Sequence, residues 1–321
     1  MPVHPQVQAL IDALGMAAMP GLETLTPAAA RDRFQVMAEL RRQTGVEAIH
    51  EVRDVTIAGP AGQLPLRIYS PPVQKPAPAL VFYHGGGWVI GDLESHDHVC
   101  RALANGAQCV VAAVDYRLAP EAKFPAAVED CFAATRWVAD HSAELGIDPG
   151  RIAVGGDSAG GNLAAVIAQL ARDRGGPALM YQLLIYPVTD LSMSSASYVE
   201  NAEGPLLTKA AMAWFIDHYA KGDADRADPL ASPLLATDLV GLPPAFVLTA
   251  ECDPLRDEGE AYGKRLTAAG VPAEVKRYAG MPHGFFSFGA AFDGSKEAIA
   301  DALQRLRSAF GREAVHAATA S

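Results

Sequence analysis

The run Gly156-Asp157-Ser158-Ala159-Gly160 follows an apolar segment at Arg151–Gly155 and opens a helical one at Ala159–Asp173. Its small residues permit a tight turn from strand to helix, which lifts the Ser158 hydroxyl clear of the backbone near the positive end of the helix dipole. A glycine-rich helix start without function can carry the same letters. The strand before the run and the helix after it favour an exposed, nucleophilic serine that needs a base to take its proton.

Short apolar segments alternate with helical ones along most of the chain, which is typical of a mainly parallel sheet covered by helices. The first two predicted strands alternate apolar and polar residues, whereas the middle ones are continuously apolar, as strands buried on both faces are. Eight strands are predicted, at Glu51–Ile57, Leu64–Tyr69, Ala79–Tyr83, Cys109–Asp115, Arg151–Gly155, Gln182–Tyr186, Ala245–Ala250 and Ala273–Tyr278. Helices are predicted at Asp92–Ala104, Pro125–His141, Ala159–Asp173, Leu255–Ala269 and Ser295–Phe310. The fold class is therefore α/β, with an eight-stranded, mostly parallel sheet flanked by helices.

Two segments lie outside this alternation. At the N-terminus, apolar residues recur at helical spacing over residues 7–14, and a second helix is expected over residues 26–44 with Thr26 as its N-cap. In the insertion at residues 191–228, Thr208 is expected to cap another amphipathic helix. These apolar faces could form a helical lid over the carboxyl edge of the sheet or could pad the core, and the pattern favours neither.

We therefore predict one domain with a cap, since no internal repeat or Gly/Ser linker marks a second domain. Residues 1–50 would form the N-terminal helical part of the cap, and residues 191–228 the cap insertion. Residues 51–190 and 229–313 would form the core, and residues 314–321 a disordered tail.

A second glycine-rich run, His84-Gly85-Gly86-Gly87-Trp88, ends the predicted strand at Ala79–Tyr83. Three consecutive glycines are entropically costly, so their backbone N–H groups are expected to approach a bound group closely. An acyl-transfer enzyme needs such donors where a carbonyl oxygen becomes an oxyanion, and losing one donor costs on the order of 3 kcal/mol. A flexible turn is the alternative; a phosphate-binding loop would need a Lys-Ser/Thr pair or G-x-G-x-x-G spacing, which this run lacks.

Asp253 and His283 each follow a predicted strand near the end of the chain. A carboxylate just beyond a strand can orient an imidazole, and Pro282 and Gly284 favour an exposed turn at His283. Taken singly, Asp253 could be an N-cap ahead of Leu255 and His283 a solvated surface residue. The order serine, acid, histidine on matching elements favours a catalytic set.

Composition and charge argue against several kinds of protein. The net charge of −11, without a basic stripe, argues against a nucleic-acid partner, because phosphate binding relies on clustered lysine and arginine. The cysteines, at positions 100, 109, 131 and 252, show no C-x-x-C pairing, which favours free thiols in a reducing compartment. No signal peptide or membrane-length apolar run is evident, so a cytoplasmic protein without a membrane span is expected.

No metal or other cofactor is predicted. His96-Asp97-His98 is the one tempting cluster of metal ligands. Residues at positions i and i+2 of a helix do not face a common point, so these three are interpreted as helix-surface residues.

Several runs, in this order, resemble the hormone-sensitive lipase-like family of esterases within the α/β-hydrolase superfamily. They are HGGGW at 84–88, DYRLAPE at 115–121, GDSAGGN at 156–162, DPLRDEG at 253–259 and HGF at 283–285. The GDSAGG form resembles the bacterial family IV carboxylesterase branch. The resemblance implies an α/β-hydrolase fold with a helical cap and hydrolysis of short- to medium-chain acyl esters without a cofactor, by a monomer or homodimer.

The resemblance also assigns a catalytic triad and an oxyanion hole. The nucleophile, the general base and the carboxylate that orients it would be Ser158, His283 and Asp253. Three backbone N–H groups would bind the oxyanion, those of Gly86, Gly87 and Ala159. Four further residues would shape or support the site: His84, Gly85, Tyr116 and Asp157.

The predicted function is a two-step acyl transfer from a small-molecule ester through a serine acyl-enzyme. An amide, lactone or thioester would pass through the same oxyanion, so the sequence leaves these substrates open. A small-molecule receptor is a further alternative, because the resemblance includes plant hormone receptors in which the catalytic histidine is replaced, but His283 is present here. A purely structural protein would not explain the three-glycine loop.

Overall fold

The computed structural model describes residues 3–15, 19–42 and 46–311. Its central sheet contains the strands β1 (Glu51–Gly59), β2 (Gly62–Ser70), β3 (Ala77–Tyr83), β4 (Val110–Val114), β5 (Ile147–Asp157), β6 (Tyr181–Ile185), β7 (Ala245–Cys252) and β8 (Ala273–Pro282). The spatial order is β1-β2-β4-β3-β5-β6-β7-β8. β2 pairs antiparallel with β1 and with β4, and the other neighbouring pairs are parallel. All eight predicted strands and the mostly parallel sheet are confirmed.

The helices are α1 (Pro5–Ala13), α2 (Pro27–Arg42), α3 (Asp97–Ala107), α4 (Ala126–Asp140), α5 (Ser142–Leu145), α6 (Ala159–Asp173), α7 (Ser197–Glu200), α8 (Lys209–Tyr219), α9 (Asp223–Arg226), α10 (Arg256–Ala268) and α11 (Asp293–Ala309). Short 3-10 turns lie at Leu22–Thr24, Pro233–Leu235 and Phe285–Ala291. The predicted helices are all present. The part of the second predicted helix at residues 43–44, and the predicted tail at residues 314–321, lie outside the described residues.

The start of α3 departs from the prediction. The helix was expected from Asp92 but begins at Asp97. The Asp92 Oδ1 atom accepts the Ser95 N–H at 2.8 Å, and the Ser95 hydroxyl donates back to the Asp92 carbonyl at 2.9 Å. These side chains satisfy the backbone in a turn, which competes with helix formation.

Helices cover both faces of the sheet because neighbouring residues of a strand point in opposite directions. In β3, Val81 packs into the core that contains Leu163 of α6. The next residue, Phe82, packs into the core that contains Leu103 of α3 and Leu306 of α11. The strands therefore lie between two apolar layers, and their carboxyl ends are held in fixed relative positions.

The amphipathic segments outside the sheet form helices as predicted. Thr26 Oγ1 accepts the N–H of Ala29 ahead of α2. Thr208 Oγ1 accepts the N–H of Ala211 at 3.0 Å and caps α8. The four cysteines are buried. Across the described part of the chain, no helix is both long enough and apolar enough to cross a membrane.

Removing the cap of α8 is expected to destabilise the protein. Thr208→Ala leaves the Ala211 N–H without its partner, which should lower the free energy of unfolding by about 1 kcal/mol. Thr208→Ser keeps the hydroxyl and serves as the control. Urea unfolding of both variants checks this prediction, and an equal loss for alanine and serine would contradict it.

Candidate active site

Three of the predicted site residues meet at the carboxyl ends of β5, β7 and β8. His283 Nε2 lies 2.8 Å from Ser158 Oγ, and His283 Nδ1 lies 2.7 Å from Asp253 Oδ2. The structure thus brings together a hydroxyl, an imidazole and a carboxylate that are far apart in the chain. A carboxylate can accept a hydrogen bond from Nδ1, and the other ring nitrogen, Nε2, faces the Ser158 hydroxyl.

Ser158 is the single residue between β5 and α6. Its φ of 57° lies in the left-handed region, where a non-glycine backbone is strained, and its N–H donates to the Ile185 carbonyl at 2.8 Å. The glycines on either side are required by close packing: a Cβ on Gly156 or on Gly160 would overlap the carbonyl oxygen of Tyr83. The close approach of α6 to the end of β3 explains the small residues of the G-x-S-x-G run.

Asp253 is completely buried. One of its carboxylate oxygens binds His283, and the other accepts the Leu255 N–H at 2.9 Å. The carboxylate thus contacts both the turn that leads into α10 and the imidazole, whereas the N-cap of α10 is Leu255 rather than Asp253. The Tyr186 ring packs against the imidazole, with ring centroids 4.7 Å apart.

The glycine run after β3 faces the same cavity as Ser158. Gly86 and Gly87 have φ values of 121° and 57°, which favour glycine. A Cβ on Gly86 would overlap the Ile90 carbonyl, and one on Gly87 would overlap the ring of Phe215. Among the described residues, no group accepts a hydrogen bond from the N–H of Gly86 or Gly87. Both amides are available to a ligand.

The residues predicted to support this run are buried beneath it. The rings of His84 and Tyr116 stack at 4.3 Å, and the Tyr116 hydroxyl donates to the His84 carbonyl at 2.8 Å. The Gly85 N–H donates to Asp157 Oδ1 at 2.9 Å. Burial, with a smaller contribution from His96, lowers the pKa of His84 to about 4.

The surface interpretation is wrong for His96 and Asp97, which are buried, whereas His98 is half-buried. His96 is 4 % exposed, and its Nε2 lies 3.2 Å from Asp157 Oδ1. Asp97 is buried beneath Tyr69, whose hydroxyl donates to it at 3.0 Å, and His98 Nε2 lies 2.8 Å from the Ser287 carbonyl. The Asp92–Ser95 turn delays the helix start, so His96 points into the protein rather than outward.

Residues of the insertion also hold the loop behind Asp253, which the sequence did not indicate. The Ser197 hydroxyl donates to the Pro254 carbonyl at 2.5 Å, and the Asn201 amide donates to the Asp253 carbonyl at 3.2 Å. Ser197 lies 57 positions before Pro254 in the chain, and Asn201 lies 52 positions before Asp253. No local sequence pattern reveals a contact of this kind.

A cavity of about 590 Å³ opens above Ser158 and His283. Residues from both amphipathic segments line it: Ala30, Phe34 and Met37 of α2, and Ala211, Met212 and Phe215 of α8. The apolar faces of α2 and α8 thus border the site. From α1, Ile11 also lines the cavity, whereas Val7 packs into the core. Across the described residues, no group of three or more His, Cys, Asp or Glu side chains could hold a metal ion.

A mostly parallel eight-stranded sheet with a sharp serine turn after β5 is the arrangement of the α/β-hydrolase class. Residues 80–287 match the family described as alpha/beta hydrolase fold, and the chain belongs to this family. The fold class and the hormone-sensitive lipase-like resemblance predicted from the sequence are confirmed by this match and by the relatives described next.

Two esterases of Mycobacterium tuberculosis are similar to this chain. Esterase LipI is 47 % identical over 284 residues, which span 86 % of this chain and 88 % of the relative. Carboxylesterase NlhH is 49 % identical over 251 residues, which span 77 % and 78 %. A solved structure, a hyperthermophilic esterase from the archaeon Pyrobaculum calidifontis, has a TM-score of 0.92 and 46 % identity, covering 96 % of this chain and 99 % of that one. The chain is a carboxylic ester hydrolase that acts on small-molecule esters.

The buried His84 is expected to make stability depend on pH. Its pKa of about 4 in the folded protein lies below the ordinary 6.5, so the unfolded chain binds the extra proton first. Neutral His84 therefore makes its full contribution to the free energy of unfolding above about pH 6.5. Up to about 3 kcal/mol of that free energy is lost as the pH falls toward 4. In His84→Gln this loss should disappear. Urea unfolding between these pH values checks it, and an unchanged pH slope would contradict it.

Proposed function

We propose that this esterase hydrolyses short- to medium-chain acyl esters through a serine acyl-enzyme, with Ser158, His283 and Asp253 as its triad. The two consecutive hydrogen bonds from Asp253 through His283 to Ser158, at 2.7 and 2.8 Å, are the observation that carries this proposal. They supply the serine with a base whose own orientation is held by a buried carboxylate.

In the first step, Ser158 Oγ attacks the ester carbonyl carbon while its proton passes to His283 Nε2. Asp253 stabilises the resulting imidazolium. The carbonyl oxygen becomes an oxyanion and accepts hydrogen bonds from the N–H groups of Gly86, Gly87 and Ala159. The low polarity of the cavity strengthens these hydrogen bonds. His283 then gives its proton to the leaving alkoxide oxygen, the C–O bond breaks, and the acyl group stays on Ser158.

In the second step, a water molecule takes the place of the alcohol. His283 removes one proton from the water molecule as the water oxygen attacks the acyl carbon. The same N–H groups donate hydrogen bonds to the second oxyanion. When this intermediate collapses, the proton on His283 returns to Ser158 Oγ. The free acid leaves, and the enzyme regains its starting state.

The cavity supports a small, apolar ester as substrate. Its volume of about 590 Å³ suits a small molecule, and its walls carry Phe34, Met37, Met212 and Phe215. We also propose that residues 1–50 and 191–228 form a cap over the core of residues 51–190 and 229–313. The lining of the cavity by residues of α2 and α8 supports that division.

Ser158→Ala tests the nucleophile. We expect the kcat for p-nitrophenyl butyrate to fall about ten-thousand-fold or more, because the variant lacks the hydroxyl that lies against His283 Nε2. Labelling by a fluorophosphonate probe should disappear, while the unfolding midpoint stays close to that of the wild type. Ser192→Ala, at an exposed serine, is the control. Retained turnover in Ser158→Ala would overturn the proposal, and wild-type protein that the probe does not label would favour the receptor alternative.

A series of p-nitrophenyl esters from acetate to palmitate tests the acyl-chain limit. We expect kcat/KM to be highest between butyrate and octanoate and to fall steeply toward palmitate, because the cavity walls stop a longer chain. A rise in kcat/KM that continues to palmitate would contradict this prediction.

A further inference from the structure

His96 lies at the junction between the serine turn and the glycine run, although neither the triad nor the oxyanion hole includes it. Its Nε2 is 3.2 Å from Asp157 Oδ1 and 3.3 Å from the Gly85 nitrogen. Its Nδ1 is 3.0 Å from the Ser95 hydroxyl oxygen. Three rings surround the imidazole, with centroids 5.5 to 6.4 Å away: His84, Phe34 and Phe82.

Asp157 joins the two loops that form the site. Its backbone precedes Ser158, and its side chain accepts the Gly85 N–H at 2.9 Å, one residue before Gly86. The packing between them is tight, since a Cβ on Gly85 would overlap the Asp157 carboxylate. A movement of this carboxylate would therefore change the distance between the serine hydroxyl and the amides of Gly86 and Gly87.

The position of the Asp157 carboxylate depends on His96. The carboxylate is buried, and burial raises its pKa, but the attraction of His96 and hydrogen bonds from His96 and Gly85 outweigh burial, so the pKa lies below its usual value. The Gly85 N–H lies 2.9 Å from Asp157 Oδ1 and 3.3 Å from His96 Nε2, and Nε2 lies 3.2 Å from the same carboxylate oxygen, so the three groups are in mutual contact. Without His96, that oxygen keeps one donor in a buried site, which destabilises its present position.

We propose that His96 is a positioning residue for the oxyanion hole: it holds the Asp157 carboxylate against the Gly85 N–H, and thereby keeps the Gly86 and Gly87 amides in place for the ester oxygen. This inference rests on the proposed function, because it gives those amides their role. It places a second imidazole–carboxylate pair behind the glycine run, separate from the pair that serves Ser158.

Three substitutions of His96 separate the two ring nitrogens. A glutamine amide nitrogen lies about as far along the side chain as Nε2 and can donate to Asp157, whereas an asparagine nitrogen corresponds to Nδ1. Leucine keeps much of the volume and donates nothing. His96→Leu and His96→Asn should lower kcat for p-nitrophenyl butyrate about 10- to 100-fold, because small displacements of reacting groups have effects of that size. His96→Gln should stay within about threefold of the wild type.

A pair of inhibitors distinguishes positioning of the amides from a general packing defect. Ser158 Oγ adds to the carbonyl carbon of a trifluoromethyl ketone, and the ketone oxygen becomes an oxyanion. The matching methyl ketone binds without this addition. In His96→Leu, affinity for the trifluoromethyl ketone should weaken by the same factor as kcat/KM, and affinity for the methyl ketone should stay within about threefold. In an Asp157→Asn background, adding His96→Leu should lower kcat less than about threefold, because His96 acts through Asp157.

The control is His141→Leu, which removes a half-buried histidine that stacks on Trp137 outside the cavity; its kcat should not change. Three results would each overturn the proposal. They are an equal loss of kcat in His96→Leu and His96→Gln, a loss of methyl ketone affinity in His96→Leu as large as the loss of trifluoromethyl ketone affinity, and an unchanged kcat in His96→Leu. If His96→Leu does not fold, the comparison of glutamine with asparagine decides in the same way. Failure of the proposed function is recognised separately, since wild type and Ser158→Ala would then be equally active.

Discussion

The site depends on the close approach of the first turn of α6 to the end of β3. Glycine at positions 156 and 160 lets the two backbones meet at the Tyr83 carbonyl, where any side chain would overlap it. Ser158 then stands in a left-handed conformation at the tip of the turn. The glycine run begins one residue after Tyr83, so the same contact sets the position of Ser158 relative to the amides of Gly86 and Gly87.

Two buried carboxylates hold this geometry in the same chemical manner. Asp253 binds one backbone N–H, that of Leu255, and one imidazole, that of His283. Asp157 likewise lies between the Gly85 N–H and the imidazole of His96. A buried charge is tolerated when it is paired and hydrogen-bonded, and such a pair also fixes the orientation of both partners. The arrangement gives the site rigid support on both sides of the serine.

The cavity is built largely by segments distant in sequence from the loops that carry Ser158, Asp253 and His283. The α2 and α8 helices supply six apolar residues of its wall, and Phe215 of α8 packs directly on Gly87. Residues 197–201, from the same insertion as α8, bind the loop that carries Asp253. The insertion that helps to line the cavity thus also contacts the loop that carries Asp253.

The amino-acid sequence by itself determined the α/β class, the eight strands, the serine turn and the order of Ser158, Asp253 and His283, because strand periodicity and turn chemistry are local properties. Only the tertiary structure decided the places of His96, Ser197 and Asn201. Their burial and partners depend on which distant segments pack against them, and the turn at Asp92–Ser95 that points His96 inward competes with a helix of similar local preference. The cavity likewise belongs to no single segment, since its walls come from α2, α8 and the ends of the strands.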